Sequence, residues 1–77
     1  TRCALYPRDV LRPIVVNACA AFVAVHNHPS GDPSPSSEDI ALTDELAKGA
    51  ELLGIRLLDH VVVAATAHYS FADAGLL

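Results

Sequence analysis

The 77-residue chain has room for one domain, and a chain of about this length buries only about 60% of its unfolded surface, so its core is small. Nine acidic against five basic residues give a formal net charge of −4, which disfavours a nucleic-acid-binding function that depends on a basic surface. Two cysteines are too few for a disulfide scaffold, and the longest apolar run, residues 18–25, is too short to cross a membrane. We therefore expect reduced cysteines, a cytoplasmic location and no membrane contact.

The first predicted elements are a helix and a strand. Apolar residues recur with a period near four from Pro7 to about Ala18, which predicts a helix. Pro13 lies inside this pattern, so it either kinks the helix or marks its true first turn. Asp9 falls near the predicted helix start, where a carboxylate stabilises the helix dipole. The continuously apolar residues 20–25 then predict a buried strand that leads into His26.

Two histidines at the end of that strand form a candidate metal site with a later aspartate. His26 and His28 are two residues apart, so their side chains leave the same face of a strand and both can reach one ion. After a Pro/Gly/Ser-rich loop, Ser36 is a natural N-cap and Asp39 falls at N3, from which its carboxylate can turn toward the histidines. Imidazole and carboxylate suit zinc, and three protein ligands leave a fourth position open, as in catalytic sites. The alternative is that Ser36 and Asp39 only cap a helix and that the histidines are solvated.

Within the loop, Asp32 lies in a Gly-Asp-Pro turn, which is a sufficient structural reason for its presence, so it is not included among the ligands. The next helix is predicted from Ser37 to Leu53, with Gly54 as its stop. Its predicted apolar stripe consists of Ile40, Thr43, Leu46, Ala47, Ala50 and Leu53.

Two further strands are predicted, over residues 55–65 and over 69–71. Asp59 and His60 are adjacent and so point to opposite faces of a regular strand, which makes joint action at one site unexpected. His60 is predicted to be a hydrogen-bonded histidine at the sheet surface rather than a fourth ligand. Ser70 and Asp73 repeat the cap-and-N3 spacing for a last helical turn.

The pattern His26-x-His28, seven residues, then Ser36-x-x-Asp39 matches the signature of JAMM (MPN-type) metallopeptidases, and residues 26–63 resemble the RadC branch of that superfamily. The resemblance extends from about Tyr6 to the end of the chain. It implies an α/β fold in which a mixed β-sheet is packed between helices, as in the JAMM/MPN (deaminase-like) fold. It also implies Zn²⁺ bound by the two histidines and Asp39, with Ser36 as a catalytic group that stabilises an oxyanion. The implied reaction is hydrolysis of an amide or isopeptide bond in a peptide or protein substrate.

The chain departs from the JAMM pattern in its general base, which in that family is a glutamate on an upstream strand. No glutamate precedes Glu38 here, and Asp9, the single carboxylate before His26, is predicted to lie on a helix. We therefore interpret residues 1–77 as a partial, C-terminal portion of the domain that lacks N-terminal strands and whose hydrolase activity is impaired. The alternatives are a metal-binding but inactive interaction module and a DNA-repair-associated protein, the label commonly given to RadC-like proteins.

Overall fold

The computed structural model describes residues 6–29 and 31–77. Its elements in chain order are α1 (Pro7–Val16), β1 (Ala21–Asn27), α2 (Ser37–Leu52), β2 (Arg56–Val63) and β3 (His68–Ser70). Within these residues the strands form one sheet in the order β1-β2-β3, with β1 parallel to β2 and β3 antiparallel to β2. The predicted α/β class with a mixed sheet is therefore confirmed, and the element bounds differ from the predicted ones by a few residues.

Helix α1 begins at Pro7, where the missing N–H of proline removes no helical hydrogen bond. The carboxylate of Asp9 closes the first turn, because its Oδ2 accepts a hydrogen bond of 3.0 Å from the backbone N–H of Tyr6. This confirms the predicted role of Asp9 at the helix start. Pro13 lies in the interior of α1, so the alternative that it marks the first turn is wrong.

Helix α2 supplies the crossover that two parallel strands require. It begins after the N-cap Ser36 and ends at Leu52, and Gly54 then adopts the left-handed conformation with φ of +73°. This turn lets the N–H of Ile55 donate to the carbonyl of Ala50 at 2.8 Å and starts β2 at once. The predicted stop at Gly54 is confirmed.

The core lies between the two helices and one face of the sheet. One cluster in this core consists of the buried Leu11, Leu46, Ala50 and Ile55, with the partly buried Val10, Ile14, Phe22, Leu42 and Leu57 packed against them. Val62, Ala64 and Phe71 are buried as well. The predicted stripe on α2 is correct in its middle and wrong at its ends, because Ile40 and Leu53 are exposed. The inward positions of the first turns of α2 belong to Asp39, which the predicted stripe did not include, and to Thr43, which it did.

The other face of the sheet carries apolar side chains that are exposed in the described residues, among them Val23, Val25 and Leu58. Both described helices pack on the opposite face of the sheet. The sheet was expected to lie between helices, and within these residues helices cover one of its two faces. The arrangement leaves the carboxyl end of β1 and the start of α2 next to each other.

Two further expectations concern the cysteines and membrane-spanning segments. Cys19 has a free, exposed thiol, whereas Cys3 lies outside the described residues. None of the helices in residues 6–29 and 31–77 has the length and apolar character needed to cross a membrane.

Candidate metal centre

Strand β1 and helix α2 bring the three predicted ligands together. His26 lies near the end of β1, His28 follows the strand directly, and Asp39 lies in the first turn of α2. The Nδ1 atom of His26 is 3.1 Å from Oδ1 of Asp39, and the Nε2 atom of His28 is 3.2 Å from Oδ2. One ligand atom from each residue lies within 4.8 Å of the other two, so the three side chains can hold one metal ion. We call these three residues the His-His-Asp cluster.

The geometry of the cluster fits a small divalent ion. In a tetrahedral site with metal–ligand distances of ~2.1 Å, neighbouring ligand atoms are about 3.4 Å apart, which is close to both contacts made by Asp39. The rings of His26 and His28 meet edge to face, with centroids 4.7 Å apart and an interplanar angle of 81°. Two nitrogen donors and one carboxylate form a ligand set that suits zinc. Among the described residues, this is the one group of three or more His, Cys, Asp or Glu side chains with such spacing.

Asp39 is buried and is held by the capping box predicted from the sequence. Its N–H donates to Oγ of Ser36 at 3.1 Å, and the N–H of Ser36 donates to its Oδ2 at 2.9 Å. Burial raises the pKa of Asp39, but the hydrogen bonds with Ser36 and the nearby His26 and His28 outweigh it and hold this pKa below its usual value. Asp39 is therefore ionised at neutral pH, which is the state that a metal ligand requires.

The orientation of His28 is set by the loop that precedes α2. Its Nδ1 atom lies 3.0 Å from the backbone carbonyl of Asp32, and a carbonyl can only accept, so Nδ1 carries the proton. The lone pair of neutral His28 is then on Nε2, the atom that faces Asp39. The Asp32 side chain closes the predicted turn by accepting from the N–H of Ser34 at 2.9 Å. Residue type could not indicate the contact with His28, because the backbone of Asp32 makes it.

A buried pair, Thr43 and His60, lies behind the cluster. The hydroxyl of Thr43 donates to the backbone carbonyl of Asp39 at 2.7 Å and also hydrogen-bonds Nδ1 of His60. The predicted hydrogen bond of His60 is confirmed, but the predicted surface location is wrong, because this side chain is 3% exposed. His60 lies on the central strand, under α2, and its ring stacks on that of Phe71 with centroids 4.7 Å apart. Burial lowers the pKa of His60, and the neighbouring His26 lowers it further, so His60 is neutral.

Asp59, the neighbour of His60, makes its contacts away from the His-His-Asp cluster. Its carboxylate accepts from the N–H of His60 at 2.7 Å, from Oγ of Ser70 at 2.6 Å and from the N–H of Ala72 at 3.0 Å. It joins β2 to the turn that follows β3. The predicted cap of that turn is present, because the N–H of Asp73 donates to Oγ of Ser70 at 3.1 Å.

The fold and the cluster together define a class: an α/β domain with a His-x-His pair at a strand end and an aspartate at the start of the next helix, able to hold a metal ion. The chain matches the family model described as RadC-like JAB domain over residues 1–76, and it belongs to this family. The resemblance seen in the sequence is thereby confirmed.

Similar proteins agree with this assignment. The chain is 49% identical over 73 residues to a UPF0758 protein of Syntrophotalea carbinolica, and 45% identical over 73 residues to a UPF0758 protein of Geobacter sulfurreducens. It is 49% identical over the same length to a UPF0758 protein of Stenotrophomonas maltophilia. Each match covers 95% of this chain but only 31–32% of the relative, so the chain spans about a third of the length of these relatives.

Proposed function

We propose that the chain is the zinc-binding part of a RadC-family hydrolase that cleaves amide or isopeptide bonds in cytoplasmic peptide or protein substrates. The observation that carries the proposal is the convergence of His26, His28 and Asp39, from two separate elements, to within 4.8 Å. Zinc held by these ligands would polarise a substrate carbonyl and lower the pKa of a water molecule toward ~7.

Each residue of the cluster has a distinct task in this proposal. The ionised Asp39 supplies the negative charge that offsets part of the charge of the ion. His28 presents the lone pair of Nε2, because its Nδ1–H is held by the Asp32 carbonyl. His26 contributes the second nitrogen from β1.

Ser36 is the group that stabilises the oxyanion in this proposal. Its Oγ accepts a hydrogen bond from the N–H of Asp39, so the hydroxyl proton is not used in the cap and can be donated to substrate. The side chain is exposed beside the cluster, where a substrate carbonyl can approach. A donor of this kind typically lowers the barrier by about 3 to 4 kcal/mol.

The general base comes from outside these 77 residues in this proposal. No glutamate precedes Glu38 in the sequence, and the carboxylate of Asp9 accepts from the N–H of Tyr6 at the start of α1. No further carboxylate joins the metal-binding group within the described residues. These observations favour a second candidate for the chain by itself, a metal-binding module without hydrolytic activity.

The test is a calorimetric titration of the purified protein with zinc. We expect one-to-one binding, weakened by at least about tenfold in His26→Ala and in Asp39→Ala, because each removes a ligand. His68→Ala is the matched control, since His68 is exposed on β3 and lies outside the cluster. A folded wild-type protein that binds no zinc, or binds it equally well without His26, would overturn the proposal.

Hydrolysis is tested separately with an isopeptide-linked peptide substrate. We expect no turnover by the 77 residues alone, and turnover by the longer parent protein that is lost on replacing His28 with Ala. Turnover by the 77 residues alone, abolished in the same variant, would contradict the proposed source of the base and the inactive module alike.

A further inference from the structure

The hydrogen bonds of Thr43 determine which tautomer His60 adopts. The Thr43 hydroxyl has one proton, and the carbonyl oxygen of Asp39, 2.7 Å away, can only accept. The proton of Thr43 is therefore directed at Asp39, and Thr43 Oγ1 must accept from His60. Neutral His60 accordingly carries its proton on Nδ1. A chain of two hydrogen bonds then runs from the central strand, through Thr43, to the backbone of a candidate ligand.

These two hydrogen bonds restrain the part of α2 that determines where the Asp39 carboxylate lies. Asp39 is at N3 of α2, and its carbonyl is one of the acceptors of the first helical turn. Thr43 binds that carbonyl from one turn further along, and His60 ties Thr43 to β2. Since β2 is paired with β1 in parallel register, with Ala24 opposite His60 and His26 opposite Val62, the link fixes α2 relative to the strand that carries His26.

His60 also contacts His26, a second residue of the cluster. Its ring lies nearly parallel to that of His26, with an interplanar angle of 14° and centroids 6.0 Å apart, and its other neighbour is the buried ring of Phe71. Thr43, His60 and Phe71 are almost completely buried, so this support is shielded from water and has little freedom to shift. One buried histidine thus restrains two ligands that come from different elements.

We infer that Thr43 and His60 are positioning residues of the His-His-Asp cluster, which hold Asp39 and His26 at metal-binding distance through the hydrogen bonds of Thr43 and the ring of His60. The inference rests on the proposed metal-binding function. Neither residue belongs to the group of possible ligands, and both are almost completely buried. Outer partners of this kind typically change metal affinity by about 10- to 100-fold when removed.

The first experiment compares Thr43→Val with Thr43→Ser in the purified protein. Valine has nearly the shape of threonine but lacks the hydroxyl, whereas serine keeps it. We expect zinc affinity to fall by about tenfold or more in Thr43→Val and to stay within about threefold of wild type in Thr43→Ser. The absorption spectrum of bound Co²⁺ gives a second readout, because it reports the ligand geometry: it should change in Thr43→Val and stay the same in Thr43→Ser.

The second experiment asks whether both residues act through one hydrogen bond. His60→Phe keeps a ring between His26 and Phe71 but cannot donate to Thr43. We expect it to weaken zinc binding as Thr43→Val does, and the double variant to bind no more weakly than the weaker single variant. Independent, additive losses would show that the two residues do not form one unit and would overturn the inference.

Leu11→Ala is the control for general loss of stability, because Leu11 is buried in the core on α1 and is not one of the three possible ligands. It should unfold more easily and yet, while folded, bind zinc with unchanged affinity and give the wild-type Co²⁺ spectrum. An equal loss of affinity in Leu11→Ala would assign the Thr43→Val effect to stability and overturn the inference.

A measurement without metal separates this inference from the proposed function. The ¹⁵N shifts of the His60 ring should identify the Nδ1–H tautomer in the metal-free protein, and the Nε2–H tautomer would overturn the inference by itself. If wild type binds no zinc, the proposed function and the inference fall together. If wild type binds zinc and His26→Ala does not, while Thr43→Val matches wild type, the positioning role alone fails.

Discussion

Ser36 and Asp39 each supply the hydrogen-bond partner of the other across the first turn of α2. The N–H of Asp39 donates to Ser36 Oγ at 3.1 Å, and the N–H of Ser36 donates to Asp39 Oδ2 at 2.9 Å. The same Oδ2 atom lies 3.2 Å from Nε2 of His28. Capping and metal binding are therefore not alternatives, because the hydrogen bonds that begin the helix also aim the carboxylate at the histidines.

Replacing Ser36 with Ala tests this double role. We expect the free energy of unfolding to fall by about 1 kcal/mol, because the N–H of Asp39 loses its acceptor, and the zinc affinity to fall with it. Urea denaturation and zinc titration measure the two effects. Ser37→Ala is the control, since Ser37 follows the cap and should change stability by no more than ~0.5 kcal/mol. Equal losses in the two variants would contradict the capping role.

The loop that holds His28 can be tested through Gly31, which has φ of +86°, a conformation that side chains other than glycine disfavour. Gly31→Ala should lower the free energy of unfolding by about 1 to 2 kcal/mol. It should also weaken zinc binding about tenfold, because a shifted loop moves the Asp32 carbonyl away from Nδ1 of His28.

Gly54→Ala is the matched control for Gly31→Ala. Gly54 has φ of +73°, and an added Cβ would meet nothing within 4 Å at either position, so both variants introduce similar backbone strain without a clash. Gly54 follows the C-terminal end of α2, whereas Asp39 lies in the first turn of this helix. We expect a similar stability loss with unchanged zinc affinity; a similar fall in affinity in both variants would show that the loop does not position His28.

The sequence predicts those parts of the fold that depend on local patterns. Gly54 ends α2 because a left-handed residue is needed there, and the apolar run before His26 forms β1 as its β-branched and apolar composition indicates. The stripe on α2 was less predictable. Thr43 lies inward as predicted, but Asp39 is buried while the apolar Ile40 is exposed, and a hydrophobic pattern cannot show that a charged side chain occupies a buried position.

The candidate site, too, was predictable from the sequence only in part. The spacing of His26, His28 and Asp39 predicts the cluster, because a strand end and a helix cap fix where those side chains point. The contact of Thr43 with His60 joins residues 17 apart in sequence, across a helix and a strand, and no local pattern indicates it. His60 was expected at the sheet surface, whereas its residue is 3% exposed and its ring stacks on that of Phe71.

Acid should weaken the fold through Asp59. Burial raises the pKa of Asp59, but hydrogen bonds from Ser70, from the N–H of Ala72 and from the N–H of His60 outweigh it and hold this pKa below its usual value. The unfolded chain then binds a proton at higher pH than the folded protein does. The stabilisation is therefore present above about pH 4 and is lost as pH falls through the lower, folded-state pKa.

Ser70→Ala removes one of these donors, so the pKa of Asp59 should rise toward its usual value and the loss of stability on acidification should shrink. NMR titration of the Asp59 carboxyl carbon measures the pKa, and urea unfolding between pH 5 and pH 3 measures the stability. Ser34→Ala, in the loop before α2, is the control and should leave the Asp59 titration unchanged. An Asp59 pKa that is equal in wild type and Ser70→Ala would show that the Ser70 hydrogen bond contributes nothing.

Strand β1, which is uncharged and lies at the edge of the sheet, should make the 77-residue chain self-associate. Within the described residues, β1 is an edge strand whose seven residues carry no Asp, Glu, Lys or Arg, and its Val25 side chain is 69% exposed. Uncharged, apolar edge strands are templates for pairing with another chain. Val25→Lys should therefore reduce the concentration-dependent mass measured by light scattering without weakening zinc binding, because residue 25 points away from the face that carries His26.

Leu52→Lys provides the comparison, since Leu52 is 89% exposed at the end of α2 and outside the sheet. If Leu52→Lys reduces association as much as Val25→Lys does, added charge rather than the strand face is responsible.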